Sequence, residues 1–342
     1  MRIEFTADIS GLDVLADGQI DRSALADIAA AAEAAGIDRL LIEDPTGSHD
    51  LAALASYVLH ATSTLNVDIQ HSAGIVSPVI AARQIAALDQ LSGGRVSVHI
   101  DPPAGGAGHE ENLARLDEYI MLLRRLWTND EPIDFEGNFH RLEGARSAPK
   151  PFRDGHVPIA FAGLSGTAIK VAARHADLFV LPAASLEDTR LTIERVRAAA
   201  ARHRRAEAIR FSYPIRPKIK SAEVAVTAKP SVVAAHDIEA FAAWLDAQKL
   251  RRVAEGQPAA VQPADATPIS GPPENIGLAI LDYCAIGVTD FVIGGLRSAA
   301  EIAAFGRSVA PLVRRSLVDR DVTSSDSVPL RMPSAAWRRY RA

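Results

Sequence analysis

The chain has 342 residues, 48% hydrophobic and 23% charged, enough to bury a sizeable core in one large or two medium domains. A net charge of −5 with no block of Lys or Arg argues against a nucleic-acid or membrane-surface partner. No apolar run reaches the roughly 18 residues needed to span a bilayer. The first residues enter a strand-like segment rather than a signal peptide, and the one cysteine, Cys284, excludes an intrachain disulfide, so a cytoplasmic protein is expected.

In chain order, Arg2–Asp8 alternates apolar and polar residues as a first strand does, and Asp21–Gly36 is an Ala-rich amphipathic helix. Asp38–Asp44 is a second strand, His49–Ala61 a second helix and Asn66–Ser72 a third strand. Ser77–Ile100 holds a helix, a glycine turn and a strand in immediate succession. Ser77 suits an N-cap, Pro78 the first helical position, and Gly93-Gly94 the left-handed turn that stops a helix. A fourth helix runs from about His109 to Trp127. Asp130–Phe152 breaks the rhythm and reads as a hairpin turning at Gly137-Asn138.

Val157–Gly163 is the fifth strand, with a helix over Ser165–His175; Asp177–Pro182 is the sixth, with a helix over Leu186–Arg205. Ile209–Ile219 holds the seventh, followed by a helix over Ser231–Val253. Glu255–Pro273, rich in Pro, Ala and Gln, reads as a mobile loop. A helix over Asn275–Gly287, the eighth strand over Thr289–Gly295 and a last helix over Ala299–Leu317 complete the order, and 319–342 has no pattern.

Eight strands, most followed by a helix and several almost wholly apolar, predict a parallel sheet covered by helices, and eight such units close as a TIM (β/α)8 barrel over residues 1–318. A doubly wound open sheet is the alternative, weakened by the lack of a Gly-x-Gly-x-x-Gly turn after the first strand.

Active sites of such barrels lie at the C-terminal strand ends. If Ile3, Phe5, Val67, Ile69, Val96 and Val98 face the helices, then Asp8, Gln70, Ser72, His99 and Asp101 point into the mouth. Gly163-Leu164-Ser165-Gly166-Thr167 joins a strand to a helix, where backbone N–H groups and a hydroxyl can approach a phosphate. No His-Glu-x-x-His or paired-Cys spacing points to a metal, and Cys284 reads as core packing. Asp89 and Arg95 read as a structural contact.

Ala81-Ala82-Arg83-Gln84…Leu88-Asp89-Gln90-Leu91-Ser92-Gly93-Gly94-Arg95 resembles a signature of the bacterial luciferase-like flavin monooxygenases, most similar to the reduced-FMN-dependent alkanesulfonate monooxygenases. Glu131–Ala145, Val157–Phe179 and Gly271–Gly295 resemble further segments of that family, in the same order. The resemblance implies a TIM barrel, reduced FMN delivered by a separate NAD(P)H-dependent flavin reductase, dioxygen as co-substrate and a homo-oligomer. It puts the FMN phosphate at Ser165 and makes 255–273 the lid; Gly163, Leu164 and Gly166 of the same turn and Gln70 and Ser72 of the mouth are the further expected cofactor-binding residues.

Departures from the family fall on the substrate side. A family cysteine near the end of the second strand is missing from Pro45–His49, and an arginine–histidine pair on the seventh is replaced by Pro214 and Arg216. A tyrosine after the eighth strand becomes Leu296, beside Arg297. The resulting expectation is an FMNH2-dependent monooxygenase of a small organic compound, an alkanesulfonate being one such substrate. His99 and Arg216 are its expected catalytic groups, and Asp8 and Arg297 bind substrate. An F420-dependent oxidoreductase and a flavin-binding relative without turnover stay open as alternatives.

Overall fold

A computed structural model describes residues 2–10, 19–44, 49–103, 108–153, 155–220 and 266–323. The elements begin with β1 (Glu4–Asp8), α1 (Arg22–Ala34), β2 (Arg39–Ile42), α2 (Leu51–Ala61), β3 (Asn66–Ser72), α3 (Pro78–Ser92), β4 (Val96–Asp101) and α4 (His109–Thr128). After β5 (Ile133–Glu136) and β6 (Arg141–Ala145) come β7 (Ile159–Ala162), α5 (Gly166–His175), β8 (Leu178–Val180), α6 (Leu186–Ala201) and β9 (Arg210–Ile219). The order closes with β10 (Thr267–Gly271), α7 (Pro273–Ala285), β11 (Asp290–Ile293), α8 (Ala299–Ser308) and α9 (Ala310–Thr323).

Helix starts follow side-chain chemistry. Asp21, Asp50, Ser77, Ser165, Ser185 and Ser298 each accept from the backbone N–H three residues on, satisfying a donor the helix cannot. α3 ends at Gly93, whose φ of 71° a residue with Cβ rarely adopts.

The sheet runs β1-β2-β3-β4-β7-β8-β9-β11, and β11 pairs back onto β1, so eight parallel strands close on themselves. This is the TIM barrel expected from the sequence, and it excludes the open sheet. Alternation sorts the side chains: Phe5, Val67, Val98, Phe179, Phe211 and Phe291 join the core under the helices. Trp127 seals α4 onto α3, fully buried, with its N–H donating to Ala82 O at 3.0 Å.

Three local expectations need correction. The end of the expected 255–273 loop is strand β10, which pairs parallel with β9 from Thr267↔Ile215 to Gly271↔Ile219; residues 255–265 lie outside the described residues. Pro268 and Gly271 disguise the strand, yet Pro268 sits on an outer strand, where a missing N–H is tolerated. The single last helix is two, α8 and α9, because Pro311 cannot donate to the preceding turn. α9 reaches Thr323, past the expected end at 317. Asp89 and Arg95 are both structural but touch different partners: Asp89 accepts from Phe152 N at 2.8 Å, while Arg95 donates to Leu59 O, Leu65 O, Ser92 O and Thr62 Oγ1.

β5 and β6 form an antiparallel hairpin apart from the barrel. Glu118 on α4 holds its turn, accepting from the amides of Asn138, Phe139 and His140. The expected helix over 231–253 lies outside the described residues. Among the described residues, no helix is long and apolar enough to cross a membrane.

Candidate active site

Inward-facing residues stack in layers up the barrel. At the floor, Arg39 meets Glu4 at 3.1 Å and Asp290 at 3.8 Å, and Arg210 meets the same carboxylates at 3.0 and 3.4 Å. Burial opposes ionisation of Glu4, but Arg39 and Arg210 hold its carboxyl below the usual range. Burial prevails at Asp290, whose side chain is 1% exposed, and pushes its carboxyl up.

Above the floor, Ser97 donates to Asp68 Oδ1 at 3.0 Å, and at the mouth His99 lies between two carboxylates. Its Nδ1 is 3.8 Å from Glu43 and its Nε2 is 3.7 Å from Asp101. Burial works against the charged ring, yet Asp101, Glu43 and Asp68 outweigh it and raise the imidazole above its ordinary value. Burial also drives Glu43 up to about 7, aided by Asp8, Asp101 and Asp68 and opposed by His99. Glu43 and His99 are thus both pushed toward holding a proton, their facing atoms 3.8 Å apart.

Register explains the meeting: His99 pairs with Gln70 on β3, and Gln70 donates through Nε2 to Asp101 Oδ2 at 2.8 Å. The Gln70 carbonyl oxygen accepts from Asp44 N at 3.3 Å, and Asp44 in turn holds His49 Nδ1 at 2.8 Å. Ser72 pairs with Asp101 at the strand ends, half-buried. Asp8 is 3% exposed, accepts from Ser10 N at 2.9 Å, and is pushed up by burial.

Glu43 was not anticipated. Arg39, Leu41 and Glu43 point inward while Leu40 and Ile42 face the helices, but leucines on both faces of β2 hid that parity. His71 points the other way. Its Nε2 bonds Tyr119 OH on α4 at 2.8 Å, and burial pushes the ring down to about 4. The histidines at 49, 71 and 99 therefore do not converge on one point.

On the opposite rim, Arg216 lies across Gly295, where an added Cβ would come within 2.8 Å of its Cγ. Its charge lowers the Asp8 carboxyl against the larger effect of burial. Arg297 is exposed, and its amide donates to Glu301 Oε2 at the start of α8. Leu296 is buried in the core.

The turn after β7 brings two helix starts together. Ser165 Oγ accepts from Ala168 N at 3.1 Å and lies 3.4 Å from His109 Nε2 at the start of α4. Gly163 has φ 150°, and a Cβ there would meet that of Ala168 at 2.7 Å, so the turn needs glycine. A Cβ at Gly166 would meet nothing within 4 Å, leaving backbone open to approach, and Leu164 is partly exposed beside it. This small-residue helix start is the element of the site suited to an anionic group such as a phosphate. Glu110, which accepts from Thr167 Oγ1, is the one adverse charge among these contacts.

Residues 8–290 match the luciferase-like monooxygenase family. The chain belongs to that family. This member is 32% identical over 317 residues to the FMNH(2)-dependent dimethylsulfone monooxygenase of Pseudomonas fluorescens (strain Pf0-1), covering 84% of this chain and 86% of the relative. The enzyme of the same name from Pseudomonas putida is 31% identical over 289 residues, 78% and 79% of the two chains. Among solved structures, the EDTA monooxygenase of Chelativorans sp. BNC1 superposes with a TM-score of 0.72 at 19% identity, over 93% of this chain and 95% of that one. At that identity the likeness speaks for the fold.

Proposed function

We propose that this chain is a reduced-FMN-dependent monooxygenase whose substrate is a small neutral organosulfur compound, a dialkyl sulfone rather than an alkanesulfonate. The acidic side chains of Asp8, Glu43, Asp68 and Asp101 grouped with His99 carry this reading: they outnumber the basic groups at the mouth, so a sulfonate finds no matching set of cations. The two dimethylsulfone monooxygenase relatives support it from sequence. Dioxygen is the second substrate, and a flavin reductase supplies the cofactor.

Gly163, Leu164, Ser165 and Gly166 would hold the FMN phosphate, with Gln70 and Ser72 at the mouth. Reduced FMN, when bound, supplies the electrons that activate dioxygen. Burial drives Glu43 up to about 7, so its carboxyl, facing His99 Nδ1 at 3.8 Å, can take or release a proton near neutral pH. Arg216 offers the mouth a guanidinium, a group that binds anions but does not shuttle protons.

Titration of the full chain with reduced FMN, oxidised FMN and F420, followed by intrinsic fluorescence, tests the cofactor. Reduced FMN should bind tightest, with dioxygen uptake on adding dimethyl sulfone; tight F420 binding without oxygen uptake would overturn the reading. In the same assay Ser165→Ala should weaken FMN by about tenfold or more and leave riboflavin unchanged. Arg216→Ala should weaken reduced FMN, anionic at neutral pH, more than oxidised FMN; equal loss for the two would refute an electrostatic role.

A further inference from the structure

Between the charged floor and the mouth, a narrow well opens beside His99. Asp68 and His99 line one wall; Leu178, Val180 and Val292 line the other, with Ser212 among them, paired with Val180 across β8 and β9. The apolar wall is set apart from the main core, because Leu178 and Val180 pack with Ala160 and Ala162 inside the barrel. Ser212 is the unexplained residue. It is 1% exposed, its Oγ has no hydrogen-bond partner, and it faces the well. A buried hydroxyl left without a partner costs free energy that alanine would not, so something placed in the well should complete it.

The well narrows what that ligand can be. The floor closed by Arg39 and Glu4 limits how deep a ligand can reach. An anion would face Asp68 and Glu43, and a cation would face His99 with its raised affinity for a proton. An uncharged dipole with small apolar ends fits both walls.

We propose that this well is the substrate subsite, and that it selects small uncharged molecules carrying a strongly accepting oxygen flanked by methyl groups, such as a sulfone. Ser212 Oγ donates to that oxygen, and the methyl groups lie on Leu178 and Val180. Ser212 is then a specificity-determining residue. The assignment rests on the function proposed above but uses none of the groups given to the flavin phosphate.

The experiment measures dimethyl sulfone binding to the full chain by ligand-observed NMR, with methanesulfonate and tetramethylammonium as charged probes. The sulfone should bind and both charged probes should not. Ser212→Ala should weaken the sulfone about tenfold while holding or raising Tm, since it removes an unpaired buried hydroxyl. Val180→Phe should fill the well and abolish sulfone binding. Reduced FMN affinity should be unchanged in both variants. Sulfone binding indifferent to both substitutions, or preference for either charged probe, overturns the subsite. Failure of wild-type protein to bind reduced FMN would instead overturn the cofactor reading and leave the sulfone result standing.

Discussion

Glu43→Gln is expected to stabilise the protein at pH 8 by up to about 3 kcal/mol and to flatten its stability between pH 4.5 and 7. The Glu43 side chain is 11% exposed, and burial pushes its carboxyl from 4.5 to about 7. Between those values the folded chain keeps a proton that the unfolded chain releases, so folding loses stability as pH rises through that window. Below 4.5 both states are protonated and the penalty is absent; above 7 it is complete. Glutamine is the neutral isostere at every pH. Urea denaturation of both proteins from pH 4 to 8 checks this, and parallel stability curves would show that Glu43 does not carry the strain.

Arg39→Ala is expected to destabilise the fold by about 3–5 kcal/mol. The arginine is the inward neighbour of two buried carboxylates, at 3.1 Å from Glu4 and 3.8 Å from Asp290. Arg210 reaches both, at 3.0 and 3.4 Å, but is itself 40% exposed, so part of its charge faces solvent. Removing Arg39 leaves Asp290, 1% exposed, with a charge it can neither hydrate nor pair fully. The double substitution Arg39→Met/Asp290→Leu should recover most of the loss, because packed apolar groups can replace a buried ion pair. A single variant with the wild-type urea midpoint would show the floor contributes nothing.

Much of this architecture is legible in the residues because local and global signals agree. Ser77, Pro78 and Gly93 bracket α3 as their chemistry requires, and β3 runs over Asn66–Ser72 as its alternation predicts. Where chemistry misleads, so does the reading: Pro268 and Gly271 make β10 look like a loop, and Pro311 splits a continuous helical pattern. The site is harder, because it depends on which strands lie side by side. His99 and Asp101 share one strand and their inward parity is visible, but the approach of Glu43 depends on β2 and on its ambiguous leucines. Ser212 looks like any small residue in an apolar strand until the well around it is seen.

The salt-bridged floor has a kinetic meaning. Among the described residues, a vessel stoppered at the bottom by Arg39, Glu4, Arg210 and Asp290 leaves the mouth as its doorway, and traffic in both directions shares it. A flavin seated across that doorway would be the cork. Small molecules would then have to arrive before it and depart after it, which imposes compulsory order on the turnover. A labelled sulfone loaded first should be committed to product despite a chase of unlabelled sulfone added with reduced FMN, whereas free exchange of the label would reveal a second way out.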